Sequence, residues 1–319
     1  MINRRQFGQT LASSVLAVAA GIRTTHARQP QHRKMTIDLV GGAIGVSGNQ
    51  TEMIDLAARH GFESVEAKPQ DLAKLNDDQR QRLLQHLKGK NLVWGAAGLP
   101  IEFRKEEETF REGLKRLPNL MAGLQKAGVS RVGTWLSPSN DSLTYLQNFN
   151  QHVRRLREVS KILKDNGQRF GLEYVGTFNL RTRSKFPFVH SMVEAAELID
   201  EIGTGNVGFV LDSWHWWTAD ESEADLLQLK NNQIVAVDLN DAPKGLAKRQ
   251  QMDNRRELPA ATGVIDIKPF LGALQKIGYD GPVRAEPFNQ PLRALNNEEA
   301  CAATAHALKK AFTFLEGSH

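Results

Sequence analysis

The chain is poor in the residues that stitch small folds together. A single cysteine, Cys301, in 319 residues excludes an internal disulfide and any multi-cysteine metal site. No charge-free run of about 18 apolar residues occurs, which argues against a membrane span. Charge of one sign is in small excess only. Forty-one Lys and Arg against 36 Asp and Glu leave +5, too mild a surplus to predict nucleic-acid binding. The rest of the composition, 40% hydrophobic and 24% charged, fits a globular protein and excludes a disordered or fibrous one.

The first residues read as an address. Met1-Ile2-Asn3-Arg4-Arg5-Gln6-Phe7 sets an arginine pair before a weakly apolar stretch, Thr10 to Ile22. Thr25-His26-Ala27 then supplies small residues at both ends of a cleavage tripeptide. This order is that of an export signal, and the arginine pair resembles the twin-arginine type, with Asn3 in place of the usual Ser or Thr. Removing 1–27 takes Arg4, Arg5 and Arg23 and no acid, so the formal charge drops from +5 to +2. Residues 28–34 are a polar spacer. The main domain is expected over 35–319, in the periplasm or outside the cell. Twin-arginine export carries folded proteins, often already loaded with a cofactor, which suits a metalloprotein.

Beyond Met35, short β-rich runs alternate with helical patterns. Strands are expected at Ile37–Val40, Ser64–Ala67, Leu92–Ala96, Arg131–Trp135, Phe170–Tyr174, Val207–Leu211, Ile234–Leu239 and Val283–Glu286. Helices are expected at Thr51–His60, Glu106–Ala127, Asn148–Asn166, Phe188–Ile202, Ile267–Ile277 and Glu298–Leu315, several closed by glycine. Eight strands alternating with helices predict an α/β fold, a single-domain (β/α)8 TIM barrel. The rival, an open doubly wound sheet, needs a Gly-rich phosphate turn after its first strand, and Gly41 to Gly45 has the wrong spacing.

Chemistry in a barrel sits where the strands end. The second strand carries Glu66 near its end, the fifth Glu173, and the eighth Glu286. The sixth is followed by Asp212 and His215; the seventh carries Asp238, with Asn240 and Asp241 just beyond. Glu173, Asp212, Asp238 and Glu286, from four consecutive strands, converge at one mouth. Four carboxylates in a low-dielectric cleft do not all stay ionised without compensation, and a divalent cation is the economical solution. Oxygen-rich ligation favours Mn2+, Co2+ or Mg2+, with Zn2+ also conceivable. Each acid alone also reads as a helix cap or loop residue, Asp212 before Ser213 above all; Lys68 is a ready partner for Glu66. His215 lies three residues past Asp212 and faces the same cleft. Trp94 and Trp135 end the third and fourth strands and line the same mouth. Trp214, Trp216 and Trp217 read equally as sugar-stacking walls and as core. The long loop Asp241–Gly263 offers Arg255 and Arg256 for substrate oxygens, or for a salt bridge to Glu257. Asn240 joins this substrate-facing set.

Gly171-Leu172-Glu173, Leu211-Asp212-Ser213-Trp214-His215, Val237-Asp238-Leu239-Asn240-Asp241-Ala242-Pro243 and Gly281-Pro282-Val283-Arg284-Ala285-Glu286-Pro287 together resemble the sugar phosphate isomerase/epimerase superfamily of xylose isomerase-like barrels. The resemblance runs from about Met35 to the C-terminus. It implies a metal held by Glu, Asp, His and Glu from strands five to eight, which fall on Glu173, Asp212, Asp238 and Glu286. Asp238 thus stands where relatives have histidine. It implies Glu173 and Glu286 as acid/base groups and His215 as a substrate contact. The expected activity is sugar isomerisation or epimerisation by proton abstraction beside a carbonyl. The alternatives are a lyase or hydratase on a 3-keto-sugar or 3-keto-glycoside, and a barrel that binds sugar without turnover. A small-molecule sugar is the expected partner, with neither nucleic acid nor membrane; the sequence leaves the oligomeric state open.

Expressed with its own N-terminus in a bacterium with twin-arginine export, the chain is expected in the periplasm without residues 1–27. Replacing both Arg4 and Arg5 by Lys is expected to hold it in the cytoplasm. N-terminal mass spectrometry of the two fractions checks this, and an exported chain that still starts at Met1 contradicts it.

Overall fold

A computed structural model describes residues 33–316. The expected signal (1–27) and most of the spacer (28–32) lie outside the described residues. The end of that spacer is built into the fold. Arg33 forks the Glu63 carboxylate at 2.7 and 2.6 Å and lies over the Phe312 ring.

Eleven strands are described: β1 (Thr36–Leu39), β2 (Ser64–Val65), β3 (Val93–Trp94), β4 (Ala97–Gly98), β5 (Arg131–Trp135), β6 (Ser139–Asn140), β7 (Arg169–Glu173), β8 (Phe186–Pro187), β9 (Val207–Asp212), β10 (Ile234–Leu239) and β11 (Pro282–Ala285). All but β6 and β8, which pair with each other, join one parallel sheet in the order β3-β2-β1-β11-β10-β9-β7-β5-β4. The two ends of that order, β3 and β4, are pieces of one stave interrupted by Gly95 and Ala96. Nine segments therefore make eight staves, and the expected TIM barrel is present. The expected strands Arg131–Trp135 and Ile234–Leu239 coincide with β5 and β10. The third, expected as the unbroken run Leu92–Ala96, is split. Gly95 is needed at that split: a Cβ there would stand 2.3 Å from the Asp38 carboxylate, which fills the space instead.

The helices start and stop where local chemistry satisfies their free backbone groups. Asn49 accepts from the amides of Thr51 and Glu52 while Glu52 Oε2 accepts from the Asn49 amide, a reciprocal cap for Gln50–His60. Gly61 closes that helix with φ 70°, a left-handed conformation costly for residues with a Cβ. One helix, Asp77–Gly89, escapes the periodicity reading because it buries only Leu83 and Leu87 and is polar elsewhere. Another begins at Met192 rather than Phe188, because the Ser191 side chain caps it by accepting from the Glu194 amide.

Small residues fill the barrel below its mouth. Ala96, Val210 and Ala236 form an apolar cluster apart from the main core. A Cβ on Gly171 would come within 2.7 Å of Val210 and 2.9 Å of Val235. The missing side chain thus lets β7, β9 and β10 approach with Glu173, Asp212 and Asp238 near their ends. Gly171→Ala is expected to lower the unfolding free energy by about 1–3 kcal/mol through overpacking. Urea melts of the two proteins check it, and equal stability refutes the packing argument.

Candidate active site

Glu173, Asp212, Asp238 and Glu286 do meet at the mouth. Single oxygens of Glu173, Asp238 and Glu286 lie within 4.8 Å of one another, and so do ligand atoms of Glu173, Asp212 and His215. Asp212 is wholly buried. Its Oδ1 accepts from the Trp214 amide at 2.8 Å and from Asn240 Nδ2 at 2.9 Å, so it is both a helix cap and a member of the cluster. Glu173 Oε1 is buried without a hydrogen-bond partner.

The surprise is Arg256. Its guanidinium is 2% exposed and sits among the acids. Nη1 donates to Asp212 Oδ2 at 2.7 Å and to Glu286 Oε2 at 3.2 Å; Nη2 donates to Asp253 Oδ1 at 2.8 Å. The rings of Trp214 and Phe288 flank it. A surface salt bridge to Glu257 is therefore ruled out for Arg256. The loop that delivers it is pinned at its base by Asp241, whose carboxylate accepts from the amides of Ala242, Thr262, Gly263 and Ile265.

Asp238 departs from the expectation of a free metal ligand. Arg284, its register partner on β11, forks it, with Nε at 2.6 Å from Oδ1 and Nη2 at 2.9 Å from Oδ2. Three further expectations are corrected. Asn240 is fully buried and braces the site instead of meeting substrate: its Nδ2 donates to Asp212 and its Oδ1 accepts from the Glu286 amide. Trp94 faces away from the mouth, its Nε1 donating to the Ala127 carbonyl. Arg255 is exposed and lines neither cavity at the mouth, because the loop turns its side chain away from that of Arg256. Trp214 and Trp216 are core rather than open walls.

Two adjoining cavities, about 520 and 550 Å3, open at the mouth and share Trp135, Glu173, Glu286 and Phe288. The first takes in Glu66, Lys68, Arg104, Thr134 and Arg284 beside Val46, Leu99 and Val210. The second sets Pro138, Val175, Leu180 and Met252 beside Asn179, Arg183, His215, Asp253 and Arg256. Trp135 is 46% exposed and carries the Arg104 guanidinium on its face. Glu66 faces the first cavity; Lys68 does not bond to it but donates to the Gly48 carbonyl. Sequence reading missed Asp38, Asp253, Arg284 and Phe288. Arg284 was within reach of it, since it stands two residues before Glu286 on a strand and so shares its face. Phe288 holds φ 44°, a strained backbone for an aromatic residue at the junction of the cavities.

Electrostatics follow from burial. Loss of water, then the charges of Glu286, Asp238 and Asp212, push the Glu173 carboxyl well above its ordinary range. Burial, then Asp238, raises Glu286 to about 8, with Arg256 opposing. Burial raises Asp38 to about 7, and raises Asp212 to about 6 against the pull of Arg256. Burial, then Arg256, lowers His215 to about 3, which leaves its imidazole neutral with a single ring-nitrogen lone pair; Nδ1 lies 3.3 Å from the Gly176 amide and Nε2 3.2 Å from Arg256 Nη2. Four carboxylates face two guanidinium groups, and one buried oxygen has no donor. Hard oxygens, a neutral imidazole and surplus negative charge are the donor set of a divalent cation.

Residues 54–311 match the family described as xylose isomerase-like TIM barrel. An inosose isomerase of Bacillus velezensis is 24% identical over 79% of this chain and 88% of its own length. A 3-dehydroshikimate dehydratase of Pseudomonas aeruginosa is 24% identical over 79% of this chain but only 38% of its own length. The solved xylose isomerase domain protein from Alicyclobacillus acidocaldarius subsp. acidocaldarius is 31% identical over 89% of this chain and 100% of its own, with TM-score 0.77.

The raised carboxyls make a stability prediction. In the unfolded chain they titrate near 4, so between about 4 and 8 the folded protein binds the extra protons and loses stability as pH rises. His215 works the opposite way, but only below its ordinary 6.5. In chelator, the melting temperature is therefore expected to fall from pH 6.5 to 8, and Mn2+ is expected to raise it more at pH 8 than at pH 6. A flat or rising profile in chelator contradicts the surplus of buried negative charge.

Proposed function

The chain belongs to the xylose isomerase-like TIM barrel family, and from that premise we propose that it is a divalent-cation-dependent sugar isomerase or epimerase. It takes a proton from the carbon beside the carbonyl of a sugar or keto-sugar. The observation that carries the reading is the placement of Glu173 and Glu286. They come from β7 and from the end of β11, both face the junction of the two cavities, and burial with neighbouring carboxylates raises both carboxyls, Glu286 to about 8.

Glu173, Asp212, Glu286 and the neutral His215 are the groups that would hold the cation, with an oxygen of Asp238 close by. Bound there, the cation supplies Lewis acidity at the substrate's carbonyl oxygen. The residues do the rest. One of Glu173 and Glu286 removes the proton from carbon, and the other returns a proton, either to the neighbouring carbon or to the opposite face of the same carbon. Arg256, its donors engaged by Asp212, Asp253, His215 and Glu286, holds these groups in place beside the second cavity. Trp135, with Arg104 stacked on one face, still exposes aromatic surface to the C–H side of a sugar ring. The expected export signal supports a free rather than phosphorylated sugar as substrate.

The likeness to a 3-dehydroshikimate dehydratase favours one further reading, a lyase or dehydratase. The same proton removal then expels a group from the next carbon, which leaves with its bonding electrons.

Glu286→Gln is expected to cut deuterium exchange from solvent into the keto-sugar by about 100- to 10,000-fold while the fold persists. The assay is a panel of ketoses and 3-keto-glycosides with Mn2+ or Co2+ in D2O, read by NMR. Exchange that survives the substitution removes Glu286 as base. A wild-type protein that binds sugar but exchanges nothing is a binding barrel instead.

A further inference from the structure

Arg284 and Asp238 have no part in the reaction as written above, yet they form a two-point charge pair at the cleft. They stand opposite each other on β10 and β11. Both carboxylate oxygens of Asp238 are taken by Nε and Nη2 of Arg284, and Asp238 has no exposed surface. A fork made through Nε and Nη2 leaves the two N–H groups of Nη1 pointing away from the carboxylate. Among the described residues Nη1 has no hydrogen-bond partner, and Arg284 lines the first cavity together with Glu66, Glu173 and Glu286. A guanidinium held on one edge and open on the other is a rigid oxygen receptor. Its place beside Glu286 follows from the strand period, which sets residues two apart on one face.

We propose that Arg284 binds the reacting carbonyl oxygen of the substrate through Nη1, and that Asp238 positions Arg284 rather than holding the cation. The assignment rests on the proton-abstraction reading above. When Glu173 or Glu286 removes the proton, the electron pair of the C–H bond moves into the carbonyl and its oxygen becomes negative. A fixed N–H donor aimed at that oxygen strengthens as the charge develops. In this chain Asp238 therefore serves the substrate oxygen through Arg284, and imidazole ligation falls to His215.

Two measurements decide it. The first is Mn2+ affinity by calorimetric titration of wild type, Asp212→Asn, and the charge-neutral double variant Asp238→Asn with Arg284→Gln. The double variant is expected to bind Mn2+ within about threefold of wild type, whereas Asp212→Asn loses about 10-fold or more. A comparable loss in the double variant makes Asp238 a cation ligand and overturns the proposal. The second is the exchange assay with Arg284→Gln, Arg284→Lys and Arg284→Ala. At saturating Mn2+, Arg284→Gln is expected to lower kcat about 100- to 1,000-fold with KM changed far less. Lysine, lacking the planar fork, recovers little, and added guanidinium chloride at non-denaturing concentration rescues the alanine variant but not Glu286→Gln. Unchanged kcat in Arg284→Gln, or absence of rescue in a folded alanine variant, overturns the substrate contact. If wild type exchanges no proton into any ketose, the reaction and the substrate contact fall together, and the Mn2+ titration still decides the role of Asp238.

Discussion

The arrangement depends on more buried negative charge than the protein itself neutralises. Glu173, Asp212, Asp238 and Glu286 lie at the ends of neighbouring staves, where the barrel excludes water and small side chains below let the strands close up. Two guanidinium groups answer four carboxylates. An isolated buried ion is unfavourable by several kcal/mol, so the cluster must carry protons, bind a cation, or both. Those are also the two requirements of proton transfer beside a carbonyl: groups that exchange protons near neutral pH, and positive charge near the oxygen that becomes negative.

The two arginines answer that charge in different ways. Arg284 belongs to the barrel wall and is locked by a register partner, so its position is as fixed as the strands. Arg256 arrives on the loop between β10 and the helix Ile267–Ile277, held at the base by Asp241 and at the tip by Asp253. Its guanidinium touches Asp212, Glu286 and His215, the same groups that would hold a cation. Cation and guanidinium thus answer one local charge surplus. Asn240 couples the parts, bonding Asp212 with one end of its amide and the Glu286 backbone with the other. Its burial shows how a residue placed correctly at a strand end still fails as a substrate contact once its two polar atoms are spent.

The eight-fold alternation of apolar runs and helical patterns was legible along the chain, because buried strands and amphipathic helices each leave a fixed period in the sequence. So was the ring of acids, since a polar residue directly after an apolar strand has one place to go in a barrel. The helix Asp77–Gly89 left too thin an apolar stripe to be read. The direction of Trp94 was not readable either, because a two-residue strand next to a break gives no reliable alternation of faces.

The residues by themselves determined the barrel, the four carboxylates and their convergence, since these follow from local periodicity and from the end of each strand at which a barrel works. Only the tertiary structure decided which atoms are spoken for. That Asp238 is forked by Arg284, that Arg256 and not Arg255 enters the cleft, and that Asn240 is a brace all depend on contacts between segments far apart in the chain. Such pairings are set by register and loop path, and neither leaves a period to be read in the sequence.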